Sequence, residues 1–471
     1  MLERYFGLRA LGTNPRRELT AGLVTFLTMA YIIVVQPAIL SGAMFGMETG
    51  MDLRAVMFAT CVAAAAATAM MGLLARYPIA LAPGMGQNFF FVFTAIPAAA
   101  AIGYEEDPWR VGLGAVFLSG VAFLVLSFLG VRKKLVDAVS PSMKAAIAVG
   151  IGFFIAFIGL QNSTLVTADP GTMVALNVSF LSPDLIIFFI GFATSAVLMA
   201  RGVRGAILVG IVAACGAALL LRFILPMTAW GSAELVTESL LMTQFRPAEG
   251  VVAMPPSPEP VMFKLDVVAA LSLHFIPIVL IFFFMDFFDT MGTLIGVSGR
   301  AGLLVNNKLP RATQAFASDA TGTVFGSLMG TSTVTSYIES TAGIAEGGRS
   351  GLTAVTVAVL FLLALFFTPL VEMIATHPSI TAPALVLVGA MMAQQAVRIE
   401  WEDLTETIPC FVIILTIPLT FSIGDGIALG FIVYPLVKLL AGRGRELNIP
   451  LIVLAVILAF YFIAVRGAVP G

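Results

Sequence analysis

Apolar segments close to 20 residues long follow one another from residue 20 to residue 441. A helix needs about 20 apolar residues to cross the hydrocarbon core of a bilayer, and only helices and closed barrels satisfy their backbone there. The 471 residues are 59% hydrophobic and 11% charged, against about a quarter charged in soluble domains. Mean hydropathy is +1.02. The reading is an all-α polytopic membrane protein with no room for a soluble domain. Its segments fall at 20–40, 55–75, 82–99, 111–131, 143–162, 184–200, 205–223, 268–296, 312–330, 333–347, 352–376, 380–397, 406–420 and 423–441, which makes 14. A shorter apolar stretch follows at 449–465.

Basic residues test this map, because cytoplasmic loops collect Lys and Arg. Arg4, Arg9, Arg16 and Arg17 precede a full-length span rather than a signal-peptide pattern, which places the N-terminus in the cytoplasm and the protein in the cell (inner) membrane. Counted from there, 19 of the 25 Lys and Arg residues lie inside, among them Arg132, Lys133, Lys134, Arg204, Lys308 and Arg349. Arg54, Arg110, Arg222, Arg246 and Lys264 lie outside, and Arg466 follows the course of the last apolar stretch. A dropped span would scramble this asymmetry. The longest connection, 224–267, falls outside and carries Glu234, Glu238, Glu249 and Glu259. Seven segments precede it and seven follow. An odd number inverts the second half, which is the 7+7 inverted-repeat plan of secondary transporters. The run from Gly205 to Ile211 echoes the run from Gly426 to Ile432.

Two segments are interrupted. Segment three reads Ala82-Pro-Gly-Met-Gly-Gln-Asn-Phe-Phe90. Pro83 lacks a backbone donor, and Gly84 and Gly86 disfavour helix, so a helix should begin near Gln87 or Asn88. Segment ten opens on the polar, β-branched run Thr331 to Thr341, an extended stretch that should turn helical near Ser340. Irregular backbone at membrane depth is tolerated only where protein or a polar cavity satisfies it. The plainer reading is a pair of kinked helices packed through glycine. Matching breaks in two halves favour a binding site instead.

Ionisable groups within the segments are few. Asp286 and Asp289, three apart, share one helical face; Asp319 lies in segment nine and Glu339 in segment ten. No Lys or Arg sits deep in a segment beside them. A buried carboxylate is costly unless it is protonated, hydrogen-bonded or bound to a cation. Four of them suggest a proton or Na⁺ pathway and a donor-rich ligand. Asp319, flanked by Ser318 and Thr321, has packing as its competing role. His274, near the outer end of segment eight, and His377, before Pro378 in an outer loop, have no metal-ligand companion, and His274 reads as structural. Cys61, Cys215 and Cys410 read as core, with neither metal nor disulfide spacing. Phe282, Phe283, Phe284, Phe287 and Phe288 read as core. Tyr337, Phe89 and Phe90 flank the breaks and are better placed to stack on a ligand. A net charge of −2 argues against nucleic acid.

The runs AGLVTFLTMAYIIVVQPAIL (21–40), ALAPGMGQN (80–88), GIGFFIAFIGLQN (150–162), FFDTMGTLIGV (287–297), SDATGT (318–323) and GTSTVTSYIESTAGIAEGGRSGLTA (330–354) carry a family resemblance. The chain resembles the azaguanine-type (AzgA-like) purine permeases of the nucleobase–ascorbate transporter superfamily. The resemblance implies short β-strands interrupting spans 3 and 10. It implies a core domain from 18–131 (spans 1–4) and 268–376 (spans 8–11). A gate domain would comprise 142–223 (spans 5–7) and 380–441 (spans 12–14), with an extracytoplasmic loop at 224–267 and a C-terminal apolar segment at 442–471. Asp286 and Glu339 are the expected base-binding groups. Asn88 and Asp289 are expected to shape the site or its coupling, and Gly86, Phe89, Tyr337 and Ser336 complete the substrate-binding set. Asp289, Glu339, Asp286 and Asp319 are the proton-coupling candidates. Two positions depart from the family's pattern: Gln36 stands where Asn usually precedes Pro, and Phe89 where a small residue is usual.

A purine offers N–H donors that a carboxylate accepts and a flat face that an aromatic ring stacks on. The implied function is uptake of hypoxanthine, guanine or adenine by proton symport, with elevator-type alternating access and no cofactor. A homodimer through the gate domain follows by family analogy alone. Xanthine or uracil is the alternative substrate on the same fold, and a channel is the alternative class. An anion carrier fits poorly, since carboxylates repel anions. No metal cluster, nucleophile–base pair or phosphate loop supports an enzyme.

Overall fold

A computed structural model of the chain describes residues 2–129, 139–228, 231–300, 303 and 309–464. The basic residues Arg132, Lys133, Lys134, Lys308 and Arg466 and the end of segment four lie outside the described residues. Helix dominates. Asn14 caps α1 (Pro15–Met29) by accepting from the Arg17 N–H at 3.0 Å, with Pro15 in the first turn. α2 (Ile32–Leu40) and α3 (Leu53–Met70) follow. The chain then runs extended through β1 (Leu81–Pro83), resumes as the short α4 (Met85–Phe90), and crosses back as α5 (Trp109–Leu129). α4 starts two residues earlier than Gln87. Gly84 takes the cap position in an extended conformation and its carbonyl accepts from the Asn88 N–H at 3.0 Å.

Next come α6 (Pro141–Asn162), a hairpin of β2 (Val166–Asp169) and β3 (Met173–Leu176), then α7 (Pro183–Ala200) and α8 (Ala206–Ile224). The hairpin corrects the all-α reading. Asp169 accepts from the N–H groups of Gly171 and Thr172, both at 2.8 Å, and so closes the turn. In the second half, α9 (Ile276–Arg300) begins eight residues after the expected start at 268, with Pro277 in its first turn. His274 therefore precedes the helix rather than lying in it. α10 (Ala312–Met329), β4 (Val334–Ser336), α11 (Ser340–Ala345), α12 (Gly351–Ala364), α13 (Pro378–Ala393), α14 (Leu404–Thr420), α15 (Ile423–Leu440) and α16 (Ile449–Ala464) complete the chain. Among the described residues, 10 helical stretches are long and apolar enough to cross a membrane.

The helices pack in two groups. α1, α3 and α12 pack together, as do α3, α5, α9 and α10, and α11 lies on α1. Separately, α6 packs on α13 and α14, α7 on α8 and α13, and α14 on α15. Gly152 and Gly389 let α6 and α13 touch backbone to backbone, since a Cβ at Gly152 would stand 2.8 Å from the Gly389 carbonyl. Lys438 on α15 is buried, yet it serves the second group. Its Nζ lies 2.9 Å from Glu406 Oε1 on α14 and 2.7 Å from Glu446 Oε2.

Candidate functional site

β1 and β4 cross as an antiparallel pair, with Leu81 opposite Ser336, Ala82 opposite Thr335 and Pro83 opposite Val334. All six residues are buried. Three residues on each side cannot satisfy every backbone group, so neighbouring side chains finish the work. Thr68 on α3 donates to the Leu81 carbonyl at 2.9 Å and accepts from its N–H at 2.8 Å. Thr323 on α10 does the same for Val334, at 3.0 and 3.2 Å. The pair is prolonged by the Gly84 N–H on the Thr333 carbonyl (3.0 Å) and the Tyr337 N–H on the Ala80 carbonyl (2.9 Å). Ser340 Oγ takes the Ala80 N–H at 3.0 Å.

Four carboxylates surround this crossing. Asp286 on α9 is fully buried; its Oδ2 lies 2.9 Å from the Thr323 hydroxyl, whose hydrogen it shares with the Val334 carbonyl, and its Oδ1 has no hydrogen-bond partner among the described residues. Asp289, one turn on, is exposed and accepts from Gln87 Nε2 at 3.3 Å. The shared helix face thus passes from packed interior at Asp286 to accessible surface at Asp289 and Gly292. Asp319 is buried with both oxygens engaged, by Thr290 at 2.6 Å and by Ser336 at 2.7 Å. Thr290 and Thr335 also lie 3.0 Å apart, tying α9 to β4. Glu339, half-buried just ahead of α11, accepts from Tyr31 at 2.9 Å. It lines a cavity of about 550 Å³ together with Thr28, Arg204, Thr341 and Arg349.

The remaining residues named from sequence sit close to these, in varied roles. Tyr337 donates its hydroxyl to the Pro83 carbonyl at 2.5 Å and so braces the crossing. Gly86 faces α6, where a Cβ would meet Ile151 Cγ2 at 3.0 Å. Phe89 is fully buried among other rings, parallel to Phe93 at 6.2 Å and edge-on to Phe154 at 5.8 Å; Phe90 packs edge-on against Phe282 at 4.6 Å. Asn88 bonds to Gln36 and Ser332 and is fully buried. The model of the Permease family matches residues 16–429 of the chain, both breaks and every one of these carboxylates included.

The chain belongs to the Permease family. This bears out the resemblance read from its sequence. A putative permease of Methanocaldococcus jannaschii is 46% identical over 99% of each chain. The guanine/hypoxanthine permease PbuO of Bacillus subtilis is 40% identical over 97% of this chain and 98% of its own length. The adenine permease AdeP of Escherichia coli is 39% identical over 97% and 95%. Among solved structures, the transmembrane domain of the cyanobacterial bicarbonate transporter BicA superposes with a TM-score of 0.59 at 13% identity, covering 87% of this chain and 96% of that one. At that identity the likeness is one of fold. By its family and its apolar helices the chain is a multi-pass membrane protein, mostly helical with a strand in each break. Sequence reasoning passed over Gln87, Tyr31, Thr68, Thr290 and Thr323. Thr and Gln are unremarkable in apolar segments, and only the distance of 13 residues from Thr68 to Leu81, near the 11 from Thr323 to Val334, hints at a shared duty.

Proposed function

We propose that the protein is a secondary active transporter that imports purine nucleobases, namely hypoxanthine, guanine or adenine, by proton symport across the cell membrane. The observation that carries this reading is the crossing of β1 and β4. It gathers Asp286, Asp289 and Glu339 around one place, with an oxygen on Asp286 that has no partner among the described residues, an exposed Asp289 and a half-buried Glu339. The names of the relatives, guanine/hypoxanthine and adenine permeases, supply the substrate class. Asp286 and Glu339 hold the N–H edge of the base through charge-assisted hydrogen bonds. Asp319 and Asp289 are the groups available to exchange the coupled proton.

The fourteen-segment inverted repeat belongs to this proposal. Its support is the paired design of Thr68 with Leu81 and Thr323 with Val334, one in each half. The two packing groups support a core of 18–131 and 268–376 and a gate of 142–223 and 380–441, with an elevator-type shift of one against the other. The N-terminus is then cytoplasmic, and the cavity beside Glu339 opens to the cytoplasm.

Uptake of labelled hypoxanthine and adenine by cells lacking purine permeases of their own tests the proposal. Uptake is expected to saturate, to be competed by unlabelled purines and to stop when a protonophore collapses the gradient. A sodium gradient that alone restores accumulation overturns the proton assignment, and non-saturating uptake overturns the carrier.

A further inference from the structure

Consecutive amides on α4 face different surroundings. Gln87 reaches Asp289 on α9. Asn88 enters a closed ring of hydrogen bonds: its Nδ2 donates to Gln36 Oε1, Gln36 Nε2 donates to Ser332 Oγ at 3.3 Å and to Thr331 Oγ1 at 2.9 Å, and Ser332 Oγ donates back to Asn88 Oδ1. Gln36, Asn88 and Ser332 are each 0% exposed. The ring joins α2, α4 and the stretch leading into β4, so it ties both breaks to the first span. A buried amide left unpaired is costly, whereas a closed ring rigidifies what it connects. At Gly84 a Cβ would come within 2.8 Å of the Gln87 amide carbon, so glycine there leaves room for Gln87 to lie back toward Asp289.

We propose that Gln36 is a positioning residue for the candidate site: it takes up the Asn88 amide and thereby fixes α4 so that Gln87, not Asn88, is the amide presented beside Asp289. Its transport readout rests on the purine proposal; its stability readout does not. Gln36 never touches the base. It acts through α4, whose orientation decides which polar atoms meet the edge of a bound purine. A carboxamide offers one donor and one acceptor side by side, which matches the N7 edge of a 6-aminopurine (acceptor N7, donor N6–H) better than that of a 6-oxopurine, where N7 and O6 both accept. Gln87 in this place therefore bears on the preference between adenine and hypoxanthine.

The test is a double-mutant cycle on the full-length protein. Gln36→Leu and Asn88→Leu, singly and together, are purified in detergent and their thermal unfolding is compared. The two losses are expected to overlap, the double variant falling no further than the worse single one; additive losses overturn the ring whatever the substrate. In transport, Gln36→Leu is expected to raise KM for the purine by about tenfold, the scale of one hydrogen-bonding arrangement. The maximum rate per molecule should stay near that of the unaltered protein. The ratio of inhibition by adenine and by hypoxanthine should shift in the same direction as it does in Gln87→Leu. A merely structural role would lower the amount of folded protein and leave that ratio alone, and an unchanged ratio with unchanged KM overturns the proposal. Should Gln36→Leu fail to fold, Ser332→Ala opens the same ring from its other side, and an unaltered KM there overturns it equally. If the unaltered protein moves no purine, the purine reading falls while the unfolding cycle still decides the ring.

Discussion

Glu339 shows how much one residue says when its surroundings are apolar. A carboxylate among Thr, Ser and Tyr in an otherwise hydrophobic run stands out in the sequence. The structure gives it a Tyr31 hydroxyl at 2.9 Å and a place on the cavity wall. Replacing a charge-assisted acceptor by a neutral amide costs roughly 1.5–3 kcal/mol, so Glu339→Gln should cut purine uptake about 10- to 100-fold at equal protein in the membrane. His377 makes a prediction of another kind. It is fully buried, neither ring nitrogen has a hydrogen-bond partner among the described residues, and Nε2 lies 3.5 Å from Asp184, which already accepts the Leu240 and Leu241 N–H groups. Burial pushes its pKa from 6.5 down to about 4. Between those values the unfolded chain binds a proton that the folded chain refuses, so stability falls as pH drops from 6.5 toward 4. His377→Phe should flatten the fall in Tm between pH 7 and pH 4.5, measured by thermal unfolding in detergent. At this scale the four carboxylates that surround the crossing were legible. The partners that position them were not, because a Thr or Gln in a span has many ordinary uses.

At the scale of the element, the breaks were the most legible feature. Pro83, Gly84 and Gly86, and the β-branched run at 331–335, each disfavour helix for a local reason, and β1 and β4 lie where that reasoning put extended chain. The β2–β3 hairpin was missed because each strand has only four residues, too few for a period-two pattern to rise above its surroundings. The early start assigned to α9 had a similar cause: the mostly apolar residues 268–273 continue the hydropathy of the helix, but Val267–Ala270 form a separate short turn of helix ahead of it. A further element-scale feature lay unread at Glu18. Fully buried, it accepts from the N–H groups of Arg349 and Ser350 at 2.9 and 3.2 Å and from the hydroxyls of Ser350 and Thr353 at 2.8 and 2.6 Å. It thus fastens α1 to the first turn of α12. Loss of a helix cap costs about 0.5–2 kcal/mol, and Glu18→Ala should lose at least that much, read as a lower Tm of the purified protein.

Across the whole molecule, the hydropathy map located the helices, but their division into two packing groups depends on contacts between residues hundreds of positions apart, which one sequence cannot display. Among the contacts between the proposed gate and the proposed core is an ion pair. Arg204, between α7 and α8, pairs with Glu346 at the end of α11, beside the cavity that Glu339 lines. If the core shifts against the gate, this pair must part. Cysteines at positions 204 and 346, joined by a short bis-maleimide after Cys61, Cys215 and Cys410 are replaced, should therefore stop uptake, while each single-cysteine variant treated alike keeps it. Full uptake in the joined protein would set aside motion between these two groups.

The central claim is that a purine binds where β1 and β4 cross and is carried across by the protein that holds it there. Counterflow in proteoliposomes tests this most directly. Vesicles containing the purified protein are loaded with unlabelled hypoxanthine or adenine and diluted into a trace of the labelled base. Transient accumulation of label above equilibrium is expected with the unaltered protein and none with Glu339→Gln. Counterflow undiminished in Glu339→Gln, or no counterflow of either base by correctly inserted unaltered protein, would contradict the central claim.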